Sequence, residues 1–171
     1  YKGEWRNTAD VLNENGLKPI QIYIREGLCI TNGTSMMSGI AAVNLIHSQK
    51  LFNHSIMASA LVNEIASSYD DFLTHELNAS KHHEGQILVA QMMREVLKDS
   101  QCTLSREDEL YDNGHVDTTT FGHKVQPYYS LRCVPQILGP IYEEINNAIK
   151  IVENEYASAC DNPIVDYRTQ N

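Results

Sequence analysis

From Ser35 onward apolar residues dominate long stretches of the chain, and the spacing of the polar ones sorts these stretches into helices. "SMMSGIAAVNLIH" (35–47) is apolar almost all the way round, which predicts a helix that must be covered on every side. Asn53 and His54 mark a break, after which "SIMASALVNEIASSY" predicts a second apolar helix. "QILVAQMMREVLK" predicts a third, with Ile87, Ala90, Met93 and Leu97 on one stripe. The longest pattern begins at Pro135, a residue suited to a first helical turn. There Leu138, Ile141, Ile145, Ala148, Ile149, Val152, Tyr156 and Ala159 recur at three- and four-residue spacing, while Glu143, Glu144, Asn147, Lys150 and Glu153 fill the opposite face. This helix runs for roughly 25 residues, nearly 40 Å at about 1.5 Å each. It stops near "CDNPIVD", where the Asn-Pro pair disfavours further helix.

The remaining segments are less regular. Thr8 to Gly16 reads as a short capped helix closed by glycine, and "KPIQIYI" as a brief extended stretch. "FLTHELNASKHHEG" reads as a polar connection, and 99–125, rich in Asp, Glu, Thr and Gly without a steady period, as a long irregular loop. The predicted fold is all-α, a bundle of long antiparallel helices forming a single helical domain over 1–171. Two of its helices are too apolar for the others to cover, so subunit association or further chain is expected to cover them.

Composition narrows the class. With 42% hydrophobic and 20% charged residues the chain has the balance of a globular protein with a real core. Its 22 acidic against 13 basic residues give a net charge of −9, which argues against nucleic-acid or anionic-membrane partners, since either needs a concentrated basic patch. No apolar run approaches the roughly 20 residues that span a bilayer, and "YKGEWRNTAD" lacks the apolar centre of a secretory signal. The chain begins at Tyr1 rather than methionine, and is expected to be an internal piece of a larger subunit. Cys29, Cys102, Cys133 and Cys160 are widely spaced with no CxxC pair, which predicts reduced thiols and a cytoplasmic location. Asn32, Asn53 and Asn78 each open an N-x-[ST] triplet, a pattern without meaning unless the chain is secreted.

Candidate chemistry is thin. His82, His83 and Glu84 are consecutive, and neighbours on a helix point about 100° apart, so they do not chelate one ion as an i, i+4 pair would, and no metal is expected. Phosphate-binding glycine patterns and the nucleophile elbow are absent from the sequence. What remains is a polar set in apolar surroundings. Asn32, in "CITNGT", precedes a helix, where it serves either as a turn or cap residue or as an amide that both donates and accepts toward a polar ligand. Arg132 offers a two-pronged contact to a carboxylate. Tyr129, three residues earlier, shares its face if the turn is helical, and Gln126, another three back, extends the row. Such a row suits the wall of a pocket for a small zwitterion. The plainer reading makes the tyrosine and arginine amphipathic cover for a helix entrance.

Four segments, "EGLCITNGTSMMSGIAAV" (26–43), "HHEGQILVA" (82–90), "VQPYYSLRCVPQILGP" (125–140) and "CDNPIVD" (160–166), resemble in this order and spacing the aromatic amino acid ammonia-lyases and aminomutases. The resemblance covers essentially the whole chain, which would correspond to about a third of a subunit, from its central helical core. It implies non-oxidative elimination of ammonia from an aromatic L-amino acid in amino acid catabolism, through the electrophile methylidene-imidazolone (MIO) formed from an internal Ala-Ser-Gly. It further implies that Arg132 binds the substrate carboxylate, that Asn32 and Gln126 hydrogen-bond around the amine and the electrophile, and that Tyr129 lines the pocket beside them. Ala-Ser occurs at 58–59, 66–67, 79–80 and 157–158 but is never followed by glycine, so this chain does not make the electrophile and is expected to be inactive alone. The family's tetrameric assembly implies a homo-oligomer. "NGTSMM" looks closer to the tyrosine-using branch and "YSLRC" to the histidine branch, and histidine is favoured slightly, ahead of tyrosine or phenylalanine. The alternative from another class is a non-catalytic helical assembly protein.

Overall fold

A computed structural model describes residues 1–24, 26–110, 126–160 and 168, apart from the side chains at 29 and 110. Its described residues are all-α, with eight α-helices and one 3-10 turn, and they fall into two compact units, the described parts of 1–37 with 158–171, and 38–157.

In the first unit, α1 (Thr8–Glu14) is capped by Asn7, whose side chain accepts from the Ala9 N–H at 2.9 Å. The cap is thus one residue earlier than the Thr8 expected from the sequence. Gly16, at φ +68°, takes the left-handed conformation that ends the turn without a Cβ penalty. "KPIQIYI" belongs to no strand, and its Tyr23 N–H instead bonds the Glu26 carboxylate at 2.8 Å, where α2 (Glu26–Asn32) begins. An isolated extended stretch needs a partner strand, and this one has none among the described residues.

The second unit holds most of α3 (Ser35–Ile65), which runs unbroken for 31 residues. The break expected at Asn53 and His54 does not occur. Neither residue is a Gly or Pro, each costs only tenths of a kcal/mol in a helix, and the buried Phe52 and Ile56 on either side anchor the helix in the core. The Ser55 hydroxyl donates back to the Leu51 carbonyl at 2.9 Å, across the point where the break was expected. Met36, Met37, Ile40, Val43, Leu51, Met57 and Ile65 stay exposed, so this chain covers one side of α3 rather than all of it.

The supposed polar connection at 72–85 is ordered. It contains the 3-10 turn Asp71–Leu73 and the short helix α4 (His75–Ala79), with Phe72 and Leu73 buried. Asn78 holds it together from inside. Fully buried, it donates to the Phe72 and Thr74 carbonyls at 3.0 and 2.9 Å and accepts from buried Gln86 at 3.1 Å. A buried amide satisfied on every side ties turn and helix as firmly as apolar contact does, yet in sequence it reads as loop. Its burial also removes the Asn78 triplet as a surface acceptor. Within 99–125, Arg106–Leu110 forms α6, Tyr69 and Leu104 make a parallel bridge, and 111–125 lies outside the described residues.

The core joins α3, α5 (Glu84–Val96), the 3-10 turn and α8 (Val134–Tyr156) through Phe52, Ile56, Leu73, Val89, Met93 and Val134. The Phe52 and Tyr142 rings meet with centroids 5.5 Å apart. The predicted stripe on α5 holds for the buried Ala90 and Met93 and for Leu97, which packs against the core at the helix C-cap, and Val89 joins it. α8 begins with Pro135 in its first turn, as predicted, and ends at Tyr156, ahead of the Asn162-Pro163 pair, which lies outside the described residues. The Tyr156 hydroxyl donates to the Ser38 carbonyl at 3.0 Å, while Asn63 near the other end of α3 reaches the Leu131 carbonyl just ahead of α8, so α3 and α8 are antiparallel.

α5 and α8 touch backbone to backbone. A Cβ at Gly139 would lie 2.5 Å from the Gln86 nitrogen and 2.8 Å from its Cα, and Gly85 faces the Gly139 carbonyl as closely. Beside this crossing the Glu143 carboxylate accepts from the Gly85 N–H at 2.7 Å, occupying a free donor in the first turn of α5, where His83 provides no side-chain cap. Gly139→Ala should therefore lower stability by about 1–3 kcal/mol through overpacking. Gly39→Ala, in α3 where a Cβ meets nothing within 4 Å, should raise it by up to about 1 kcal/mol. Urea midpoints of the two variants against the parent check the opposite signs.

Candidate active site

Local sequence builds an unusual joint ahead of α8. Tyr128, extended at φ −61° and ψ 152°, starts a single helical turn, α7 (Tyr129–Arg132). The Leu131 and Arg132 N–H groups donate to the Tyr128 carbonyl at 3.0 and 3.1 Å, and the Cys133 N–H donates to Tyr129 at 2.9 Å. α8 follows at once, but the residue four beyond Leu131 is Pro135, which has no N–H to give. The Leu131 carbonyl would be left without its helical donor. Asn63, 1% exposed on α3, supplies one: its Nδ2 donates to the Ser59 carbonyl at 2.9 Å and makes a long contact of 3.5 Å to Leu131.

This joint sets the Tyr129–Arg132 pair. The two share one face of the turn, as the spacing predicted, with the guanidinium carbon 4.3 Å from the Tyr129 ring centroid. Tyr129 is 72% exposed and Arg132 half-buried. The Arg132 Nε is buried and has no acceptor, and no carboxylate among the described residues pairs with this side chain. A second arginine of the same unit shows the contrast. Arg106 stacks on Tyr69 at 4.2 Å, but its Nε donates to Asp71 at 2.7 Å, which neutralises it. One stack is internally compensated by a carboxylate, and the other has none among the described residues.

Gln126 does not extend the Tyr129–Arg132 row, because it precedes α7 and is not helical. It lines a depression of about 260 Å³ with Ser68, Tyr69, Leu104, Tyr128 and Leu131, and neither Tyr129 nor Arg132 is among its described walls. Asn32 is exposed as the last residue of α2, in the first unit, three residues before α3 begins at Ser35. Among the described residues no group of three or more His, Cys, Asp or Glu could hold a metal ion.

Comparison with known proteins decides the family. The model of the aromatic amino acid lyases matches residues 1–171. The chain belongs to the aromatic amino acid lyase family. It is 37% identical to a tyrosine 2,3-aminomutase of Chondromyces crocatus, over 96% of this chain and 32% of the relative. It is 35% identical to a histidine ammonia-lyase of Stigmatella aurantiaca, over 99% and 31%. The solved structure of Pantoea agglomerans phenylalanine aminomutase superimposes with a TM-score of 0.86 at 29% identity, covering all of this chain and 34% of that one. The chain thus spans about a third of the length of the lyases and aminomutases it matches, and it shares their helical fold.

Two features of this lyase-family chain lie beyond the reading of its sequence. Asn63 gave no signal by itself; the clue was Pro135, which orphans a carbonyl four residues earlier. The cluster of Tyr69, Asp71, Arg106 and Glu109 joins residues far apart in sequence. In it, a hydrogen bond to Glu109, together with burial, raises the Tyr69 phenol above its ordinary value near 10. The raised folded value means the native state holds this proton more tightly than the unfolded chain does. Its contribution is complete below the ordinary tyrosine range and is lost as pH rises through that range toward the folded value. Tyr69→Phe should therefore narrow the drop in urea midpoint between about pH 8 and about pH 10.5. An undiminished drop in the variant would show that other groups set the alkaline limit.

Proposed function

We propose that this chain supplies carboxylate-binding and amine-facing side chains to an enzyme that removes or relocates the α-amino group of an aromatic L-amino acid. The observation that carries the reading is the Arg132 guanidinium, steadied on Tyr129 with its Nε buried and no internal anion. A half-buried cation without a counter-charge favours an incoming carboxylate, and the planar fork of arginine matches one with two parallel hydrogen bonds. Membership of a family that includes ammonia-lyases and aminomutases supports the chemistry.

In this reading Arg132 fixes the acid end of the substrate and the Tyr129 ring walls the pocket beside it, while the amine-facing roles of Asn32 and Gln126 rest on the family resemblance alone. Elimination breaks the Cα–N bond, removes a β-proton and leaves a carbon–carbon double bond with free ammonia; an aminomutase returns the amine to the β-carbon. The MIO electrophile, made in this family from Ala-Ser-Gly, supplies the electron-poor site that makes the amine a leaving group. The four Ala-Ser pairs here are followed by Ala60, Ser68, Lys81 and Ala159, so that tripeptide is not among these 171 residues. The apolar side chains left exposed along α3 support self-association of the subunit, with a tetramer as the expected state.

Arg132→Ala in the complete gene product should raise KM for the aromatic amino acid by roughly ten- to a hundredfold, the equivalent of about 1.5–3 kcal/mol for a lost charge-assisted hydrogen bond. Ultraviolet assays for urocanate, coumarate and cinnamate on L-histidine, L-tyrosine and L-phenylalanine would identify the substrate, and a β-amino acid product would identify a mutase. An unchanged KM in the variant would remove Arg132 from the pocket. Purified as these 171 residues alone, the chain should release no ammonia from any of the three.

A further inference from the structure

Beyond the side chains that face the substrate, we propose that Asn63 is a positioning residue for the Arg132 guanidinium, an inference that rests on the carboxylate role of Arg132 argued above. Asn63 is 1% exposed, and the orientation of its amide is fixed by its surroundings. Its Nδ2 points at two carbonyls, those of Ser59 at 2.9 Å and Leu131 at 3.5 Å, and carbonyls only accept. The Oδ1 is thereby committed to the other side, where it is buried and unpartnered. The Arg132 Nε is also buried and unpartnered. A free acceptor therefore sits on the side chain that contacts the Leu131 carbonyl, and a free donor on the side chain of the very next residue, and each is unfavourable while it stays unpaired.

The pairing these two groups call for is Nε–H to Oδ1, closed by rotation of the guanidinium about its stem when an acid arrives. With Nε so engaged, the two terminal NH2 groups point forward and take the carboxylate end-on. Pro135 makes this economical: because it withholds the helical donor from Leu131, the same amide that repairs the backbone is held at the carbonyl of the residue preceding Arg132. Tyr129 steadies one face of the cation, while Asn63 fixes its rotation.

The test is a double-mutant cycle in the complete gene product, read by the inhibition constant of 3-phenylpropanoate, a carboxylate with no amine to eliminate, alongside KM and kcat. Asn63→Leu should raise the inhibition constant and KM about tenfold with a smaller change in kcat, and should have no further effect when Arg132 is already alanine. A merely structural role would give the same ratio in both backgrounds, and that result overturns the proposal, as does an unchanged inhibition constant in Asn63→Leu. If Asn63→Leu fails to fold, Asn63→Asp replaces it: the buried carboxylate competes for the guanidinium, so inhibition should again weaken only while Arg132 is present, and an unchanged constant overturns the proposal. Should Arg132→Ala leave the constant unaltered, the carboxylate reading itself falls and takes this one with it. Should Arg132→Ala weaken binding while both Asn63 variants do not, only the positioning role falls.

Discussion

The contact on which the second unit depends is the meeting of two helix backbones at Gly85 and Gly139. Side chains ordinarily hold helix axes 8–10 Å apart. Here each glycine faces the other helix's main chain where a Cβ would intrude, so α5 and α8 come together with no layer between them. That closeness lets Glu143 reach the Gly85 N–H and lets Val134 and Met93 share one core. It also fixes where α8 starts, and therefore where the turn bearing Tyr129 and Arg132 sits.

Much of this was legible in the sequence because helices announce themselves by period. α8 was readable from its apolar spacing and Pro135, and Tyr129 and Arg132 from their separation of three. The errors share a physical origin, in that tertiary context overrode local signals. Asn53 and His54 look like a break, but apolar anchors on either side carry α3 through them. The stretch around Asn78 looks like loop because polar residues usually mean solvent, whereas a buried amide with all its partners present organises a turn from within. Gln126 was placed in a helical row that does not exist, since Pro127 and the extended Tyr128 precede α7.

The two arginine–tyrosine stacks show how one motif serves two ends. Arg106 on Tyr69 is closed by Asp71, which makes it a brace between chain segments. Arg132 on Tyr129 has the same stacking distance within a few tenths of an ångström and no internal acid. In the proposed reading, family membership gives that difference its chemical direction, toward the acid end of an amino acid.

The clasps at either end of α3 have a further consequence. Ser38 meets Tyr156 and Asn63 meets Leu131, so two antiparallel rods are pinned to each other at both tips. Inserting one residue between the pins on either rod would swing its far end by about 100° and advance it by about 1.5 Å, and the two clasps would no longer close together. The pair thus works as a gauge block, in which the length of one helix is checked against the length of the other.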